Sequence, residues 1–230
     1  MEKLILSFIF FSILIGERSE FIMTFIGMNT ASVYITEKDT IFDGVNSKSI
    51  EYETRTISTA KRLFPVDNHY HTIINNEFNR ILYFDKNTSQ PWLKNEIIAK
   101  NKNGKVQYEG SNIEIPNNYQ NIFTLLQYLN HESVENLINK IFFIDREGMR
   151  FEANFELINS NDEYEEIQLI LNPIMNHINI PIVESTDIFT WAVFKENAVR
   201  VLRISKSTGK LIYCEFSSGF VKMKANIVYK

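Results

Sequence analysis

The sequence has little cysteine and little glycine, and both shortages exclude kinds of site. Its one cysteine, Cys214, cannot form an intramolecular disulfide or build a cysteine-based zinc site alone. Only eight of the 230 residues are glycine, and the phosphate-binding patterns G-x-x-x-x-G-K and G-x-G-x-x-G are missing. The catalytic patterns G-x-S-x-G and H-E-x-x-H are missing as well. The sequence therefore predicts no catalytic residue, no cofactor and no cofactor-binding residue.

An excess of positive charge is also missing. The chain has 24 basic and 28 acidic residues and a formal net charge of −4. We expect no nucleic-acid partner, because such binding depends on Lys and Arg neutralising phosphates. The charge is nevertheless uneven, since the stretch 187–230 holds eight basic and three acidic residues. The pattern favours an ordinary solvated face there, and the alternative is a face that contacts anionic lipid or an acidic partner.

The N-terminal segment "MEKLILSFIFFSILIGERSE" carries the longest apolar run. The run from Leu4 to Ile15 is about 12 residues long, which is typical of a signal-peptide core and short of the ~20 residues that span a bilayer. We predict a signal peptide at 1–19, cleaved after Gly16 or Ser19 or retained as an uncleaved anchor. The expected location is the periplasm or outer envelope of a Gram-negative-type bacterium.

The rest of the chain is dominated by short runs rich in β-branched and aromatic residues. Runs such as "ASVYITEKDTIF", "HYHTIIN" and "VRVLRIS" are separated by polar turns, many with glycine, as in "DREG" and "KSTGK". Strands this closely spaced must pair antiparallel, because parallel pairing needs a long crossover. A sheet of ~10 or more strands must curl, split into two sheets or close.

One segment has helical periodicity instead. In "IFTLLQYL" the apolar residues recur at i, i+3, i+4 and i+7, which predicts a helix near 118–131. The predicted fold is mainly β, with a single domain over 20–230. In it a large curved antiparallel sheet, a half-barrel, wraps around one amphipathic helix. A closed β-barrel and a two-sheet sandwich are the alternatives.

Six blocks follow one another in an informative order between Glu20 and Gly219. They are "EFIMTFIGMNTASVYI", "SIEYETRTIS", "RLFPVDNHYHTIINNEFNRILYFDK", "NIFTLLQYL", "NKIFFIDREGMRFEANFELI" and "DIFTWAVFKENAVRVLRISKSTGKLIYCEFSSG". This succession resembles a family of exported bacterial proteins of unassigned function. The resemblance implies an exported, largely antiparallel β-protein, similar in architecture to the half-barrels of lipoprotein carriers. It implies no activity.

His69 and His71 lie two residues apart in the predicted strand "NHYHTIIN". They project from the same face with Cβ atoms ~7 Å apart, a spacing that suits two ligands of one metal. A zinc site needs a third ligand, and Glu51, Glu53 or Asp67 can supply it only if the sheet pairs them. We favour two solvent-facing histidines and no metal. The alternative is a metal-dependent hydrolase that uses this pair.

Aromatic side chains are the remaining candidates for a ligand site. Phe123 and Tyr128 flank the stripe of the predicted helix, and Trp191 and Phe194 lie in "DIFTWAVF", a run whose composition predicts a strand. A curved sheet over a helix can leave an apolar cavity, and apolar cavities are the usual ligand sites. We expect these four residues to border the cavity if the core is not completely packed.

Together these observations predict an exported envelope protein with a binding or structural role, with an enzyme as the less favoured class. The expected ligand is an apolar or lipid-like molecule in the concave face of the sheet, and another envelope protein is the alternative partner. Membrane contact is expected to be peripheral or through a retained N-terminal segment, and the chain is expected to be monomeric. A further alternative is a scaffold that pairs with partners through exposed sheet edges.

Overall fold

The computed structural model describes residues 16–174 and 181–229 of the chain. Fifteen strands in this part of the chain form one sheet. In chain order they are β1 (Glu17–Phe25), β2 (Met28–Phe42), β3 (Val45–Thr56), β4 (Asp67–Asn75), β5 (Ile81–Gln90), β6 (Leu93–Lys102), β7 (Lys105–Tyr108), β8 (Glu114–Pro116), β9 (Tyr119–Gln120), β10 (Phe142–Arg146), β11 (Met149–Ser160), β12 (Tyr164–Pro173), β13 (Val199–Ser205), β14 (Leu211–Ser218) and β15 (Val221–Ile227). The helices of this part are α1 (Ala60–Leu63), α2 (Ile122–Tyr128), α3 (Val134–Ile138) and α4 (Ile188–Phe194).

The sheet consists of two meanders. Strands β1 to β8 pair in chain order, strands β9 to β15 do the same, and the antiparallel pairing of β1 with β15 joins the two sets. The pairing of β9 with β10 is parallel, and the other pairings in the described residues are antiparallel. The two end strands of the sheet, β8 and β9, are separated only by Asn117 and Asn118. The predicted curved antiparallel sheet is therefore confirmed, and it curls into a nearly closed barrel.

Alternation of side chains along each strand gives the barrel an apolar inside and a polar outside. In β3, Ile50, Tyr52 and Thr54 are buried, whereas Glu51 and Glu53 between them are partly exposed. This is the period of two that a strand imposes on its side chains. The inward residues form the core and the outward residues face solvent.

Helix α2 lies inside the barrel, which is why every residue from Ile122 to Gln127 is buried. Asn121 begins the helix, because its side chain accepts a hydrogen bond from the Thr124 backbone N–H at 2.9 Å. The Tyr52 hydroxyl donates to the Phe123 carbonyl at 3.1 Å and ties the helix to the wall. The helix is shorter than the predicted range 118–131, because the chain turns before α3 begins.

The run "DIFTWAVF" is a helix, α4, although its composition predicts a strand. The Asp187 carboxylate accepts hydrogen bonds from the backbone N–H groups of Phe189 and Thr190 at 2.9 and 3.0 Å and so caps the helix start. The Phe189 ring packs 5.5 Å from the Phe123 ring of α2. The sheet thus encloses α4 beside α2, and burial there outweighs the local preference for a strand. No helix of the described residues is long and apolar enough to cross a membrane.

Candidate functional site

An apolar cavity lies between the inner face of the sheet and the two enclosed helices. Its free space is about 40 Å³, far below the ~300–1,000 Å³ of typical ligand pockets. The interior is therefore almost completely packed in this conformation. Residues from both walls border the cavity, among them Phe21, Met23, Phe123, Leu126, Phe189 and Met223.

Of the four aromatic residues predicted to border a cavity, Phe123 does so. Tyr128 packs instead against the rings of Phe78 and Phe142, 5.6 and 5.8 Å away. Trp191 is about one third exposed, with the Lys195 ammonium 4.5 Å from its ring centre.

Phe194 packs against the Phe151 ring at 4.9 Å, on the far side of α4 from the cavity. The helical period of α4 turns Trp191 and Phe194 away from Phe189, the member of the helix that borders the cavity. Sequence reasoning that treated this run as a strand could not anticipate that arrangement.

A second group, which we call the inner charge cluster (Lys86, Glu147 and Asp187), lies inside the barrel. All three side chains are at most 5% exposed. The Lys86 ammonium is 2.6 Å from Asp187 Oδ2 and also contacts Glu147 Oε1. Buried charges need such pairing, because removing an ion from water is costly. Burial alone would raise the pKa of Asp187, but the charge and hydrogen bond of Lys86 outweigh it and hold the pKa below its ordinary value.

Hydroxyl groups complete the inner charge cluster. The Tyr70 hydroxyl donates to Asp187 Oδ1 at 2.7 Å, and the Asn68 side chain donates to that hydroxyl at 2.9 Å. The Thr186 hydroxyl donates to Glu147 Oε1 at 2.9 Å. One positive and two negative charges are thus held by several polar contacts, and among the oxygens of Glu147 only Oε2 is left without a hydrogen bond from the described residues.

The buried carboxyl group of Asp145 lies close to this cluster. Burial raises its pKa to about 7, although hydrogen bonds from the Tyr108 hydroxyl and the Gly148 N–H partly offset the effect. The free space between Asp145, Lys86 and Phe194 is about 20 Å³, which is enough for about one water molecule. Groups with shifted pKa values often mark active sites, but this space is too small for an organic substrate in this conformation.

Sequence reasoning missed the inner charge cluster, although a signal for part of it was present. In β5 the buried residues Phe84 and Thr88 lie two positions before and after Lys86, so alternation alone places this lysine inside. Its partners come from the β10–β11 turn and from the start of α4, and no local pattern links those segments to β5.

His69 and His71 lie on the outer face of the barrel, in the same row of strands as three carboxylates. The register places Glu53 opposite His69, and Glu51 opposite His71. One ligand atom from each of Glu51, Glu53 and His69 can be chosen so that all lie within 4.8 Å of one another. Asp85 approaches both rings, with carboxylate oxygens 3.1 Å from His71 Nδ1 and 3.9 Å from His69 Nδ1.

The two histidines differ in their availability to a metal. His71 has both ring nitrogens in hydrogen bonds, one to Asp85 and one to the Ser49 hydroxyl at 3.0 Å. His69 is more exposed and faces Glu51 and Glu53. A mixed imidazole and carboxylate set suits zinc. The structure thus brings together a different trio from the predicted histidine pair, on a convex face and not in a cleft.

The comparisons with known proteins concern the fold. No family model and no curated protein matches the sequence. Among solved structures, the chain is similar to the crystal structure of a beta-barrel-like protein of a domain of unknown function, DUF1849, from Brucella abortus. The superposition covers 94% of this chain and 96% of that chain, with a TM-score of 0.50 and 8% identity.

The two proteins share a fold. At 8% identity the likeness to the DUF1849 protein extends to the architecture alone. It supports the coarse form of the resemblance drawn from the sequence, that of a mainly β-protein with a barrel-like sheet. Export and a likeness to lipoprotein carriers remain expectations.

Proposed function

We propose that the protein is an exported, non-enzymatic binding protein of the bacterial envelope that accommodates an apolar chain of a lipid-like ligand. The observation that carries the proposal is the apolar cavity between the sheet and helices α2 and α4. The groups that could catalyse a reaction are enclosed with too little space for a substrate. Binding is therefore the function that the interior supports best.

Ligand entry requires side chains at the cavity wall to move, because the free space is only about 40 Å³. Met23 and Met223 on the adjacent strands β1 and β15 border the cavity, and methionine side chains adapt readily to a new neighbour. Met23 and Ala225 are paired in the register and are partly exposed. We place the entrance at this pair.

The proposal is tested with a fluorescent long-chain fatty acid. Wild-type protein is expected to bind the probe saturably, and Ala225→Leu to weaken binding about tenfold by narrowing the entrance, which corresponds to ~1.4 kcal/mol. Ala60→Leu on α1, outside the barrel, is the matched control and is expected to leave binding unchanged. Absence of binding, or equal binding by A225L with an unchanged melting temperature, would overturn the proposal.

Export is tested by the mature N-terminus. Cleavage after Gly16 leaves β1 complete, whereas cleavage after Ser19 removes three residues that pair with β2, among them Arg18 opposite Thr36. We therefore expect cleavage at Gly16. Intact mass measurement of protein released from the periplasm of a Gram-negative host checks this, and a full-length mass in the membrane fraction would contradict it.

A second candidate function is binding of a zinc ion at Glu51, Glu53 and His69, which the close approach of their ligand atoms favours. The proposal covers binding and no hydrolysis. Calorimetric titration with zinc is expected to show one site that His69→Ala removes and that His131→Ala leaves intact, since the His131 side chain contacts Glu37. Equal zinc binding by the two variants would exclude this site.

A further inference from the structure

Large apolar side chains are exposed at both ends of the barrel, and five of them share the end formed by the β1–β2, β5–β6 and β14–β15 turns and by α1. We call this set the apolar rim (Ile26, Met28, Leu63, Trp92 and Phe220). Their exposed fractions run from 65% to 106%. Single exposed apolar residues are ordinary, but a set of large ones at one end of a molecule marks an interaction site.

The sheet register places these residues at the same end. The end of β1 pairs with the start of β15, Phe25 opposite Met223, so the β1–β2 turn lies beside the β14–β15 turn. The start of β4 pairs with the end of β5, Asp67 opposite Ser89. The α1 segment before β4 and the β5–β6 turn therefore leave the sheet together. Since strand direction alternates along the meander, all four connections belong to one end.

The backbone at two of these positions is unusual. Ile26 has φ of +50° and Trp92 has φ of +62°. Residues other than glycine seldom adopt this left-handed conformation, and a β-branched isoleucine does so at a particular cost. Neither side chain gains burial within the chain in return for this conformation.

Cations without a carboxylate partner lie next to the apolar rim. Within the described residues Lys61, Arg62 and Lys94 have no ion pair, whereas Lys38, Lys48, Lys100 and Lys105 each contact a carboxylate. In the positive stretch 187–230, four of the basic residues are held in ion pairs. There Lys210 contacts Glu17 at 3.0 Å, Lys222 contacts Glu215 at 2.8 Å, and Arg203 contacts Glu166 at 2.5 Å.

A polar groove of about 510 Å³ separates the α1 segment from the outer face of the sheet. Arg55 and Lys61 line it together with the hydroxyl-bearing residues Tyr34 and Ser89. Asp67, the carboxylate in this lining, is held by Arg55 at 3.2 Å. The groove lies between the connections that carry Leu63 and Trp92, so a cationic, hydroxyl-lined space adjoins two members of the apolar rim.

We propose that the apolar rim docks on a membrane surface that contains anionic lipids. The five apolar side chains enter the interfacial layer, where tryptophan is favoured. Lys61, Arg62 and Lys94 contact lipid phosphates, as basic residues near an anionic surface do, and the groove receives one headgroup. Charge complementarity selects this occupant over a neutral bilayer.

The docking proposal rests on the export and N-terminal cleavage proposed above. Glu17, at the start of β1, lies at the opposite end of the barrel from the apolar rim, so a retained N-terminal anchor would hold the other end at the membrane. With the segment removed, docking brings the cavity entrance at Met23 close to the lipid, because this residue lies two positions before the end of β1.

The test is co-sedimentation of protein purified from a host periplasm with phosphatidylcholine vesicles and with vesicles that also contain phosphatidylglycerol. We expect binding to the anionic vesicles, weakened by high salt. The double variant W92S/F220S and the double variant K61E/K94E are each expected to weaken it by at least about tenfold. Ile41→Ser and Lys206→Glu, exposed at the opposite end, are matched controls expected to stay within about twofold of wild type.

Insertion itself is followed by fluorescence of a Trp191→Phe variant, in which Trp92 is the remaining tryptophan. Its emission is expected to shift to the blue with anionic vesicles. The docking proposal would be overturned if the wild type did not bind anionic vesicles, or if the rim and control variants lost vesicle binding equally. An unshifted Trp92 emission spectrum would also overturn it. Fatty-acid binding by the rim variants in solution reports separately on the proposed function, since the apolar rim lies outside the cavity.

Discussion

Lys86 places an ammonium group inside the barrel with 1% of its side chain exposed. The two carboxylates of the inner charge cluster offset the cost of that burial, and the lysine in turn neutralises them. Each member therefore depends on the others. Removing one partner of a buried ion pair is more costly than the pair is favourable, because the remaining charge stays buried without compensation.

We predict that Lys86→Met lowers the free energy of unfolding by about 3–5 kcal/mol, because Glu147 and Asp187 lose their counter-ion. Urea unfolding at neutral pH measures this. Lys38→Met is the control, since its 3.2 Å pair with Glu51 is exposed and is expected to contribute less than ~1 kcal/mol. Equal losses in the two variants would contradict the assigned role of the cluster.

The raised pKa of Asp145 predicts that the free energy of unfolding falls as pH rises. Its pKa is about 7 in the folded chain and 3.8 ordinarily, so the folded state holds the proton more tightly. The stability that this provides is complete below about pH 4 and is lost as pH rises to about 7. Between about pH 5 and pH 8 we expect the free energy of unfolding of the wild type to fall by up to about 3 kcal/mol more than that of Asp145→Asn. Urea unfolding at the two pH values measures this.

Glu37 supplies the opposite pH dependence as an internal comparison. Burial would raise its pKa, but contacts with His131, Lys48 and Gln127 lower it from 4.5 to about 2. The stability from this group is present above about pH 4.5 and is lost as pH falls towards 2. Glu37→Gln should therefore reduce the change in the free energy of unfolding at acidic pH and leave the change near neutral pH as it is. If the variant altered the pH dependence in both ranges, Glu37 and Asp145 would be coupled.

At the scale of the element, the sequence predicted strands and one helix well where a period was clear. The stripe of "IFTLLQYL" belongs to α2, and alternation in β3 separates its inward tyrosine from its outward glutamates. "DIFTWAVF" misled because its residues favour strands. The Asp187 cap and burial against Phe123 decide that element, and both depend on the folded barrel.

The cap of α2 is predicted to matter more than that of α3. Asn121 is buried, accepts from Thr124 N–H and donates to the Thr72 hydroxyl at 2.9 Å. Asn121→Ala should lower the free energy of unfolding by about 2–3 kcal/mol, because it removes a cap and leaves buried groups unpaired. Ser133→Ala removes the exposed cap of α3 and should reduce it by only ~0.5–1 kcal/mol.

Thermal or urea unfolding of the two cap variants distinguishes them. A larger loss in Ser133→Ala would show that α2 is held by its packing and not by Asn121. A loss in Asn121→Ala that Asn121→Asp restores in part would assign the effect to the cap, because aspartate also accepts the Thr124 N–H.

At the scale of the whole molecule, the sheet is strongest along its meanders and weakest where its ends meet. β9 pairs through two residues and β8 through three. Short edge strands offer little to a partner strand, which argues against a scaffold that works through sheet edges. The Arg150 guanidinium donates to the Glu114 carbonyl at 2.8 Å and helps to hold β8 in place.

We predict that backbone amides of β8 and β9 exchange with deuterium faster than those of β1 and β15, measured by mass spectrometry. The end strands β8 and β9 form few backbone hydrogen bonds with their neighbours, and this lowers the free energy of local opening there. Arg150→Ala should speed exchange in β8 and leave β1 unchanged. Equal protection of the β8–β9 amides and the β1–β15 amides would mean that the barrel is as stable between its end strands as elsewhere.

The contacts that make the candidate sites were beyond prediction for a physical reason. Alternation places Lys86 inside and His69 outside, but it does not say which strand lies beside which. Strand order and register decide which residues lie beside Lys86 and His69. The pairing of β3 with β4, for example, places Glu53 opposite His69. The apolar rim also required the strand order, because its members are spread from Ile26 to Phe220.

The pairing of β1 with β15 sets the order in which the chain can assemble. Phe21 pairs with Ile227, so nearly all of the described chain lies between two adjacent strands. Contacts of such long sequence separation form late, because a long loop must be closed first. Each meander can grow hairpin by hairpin, but the barrel closes only after both are made. A chain threaded through a membrane from its N-terminus would therefore stay open throughout passage and close only on the far side.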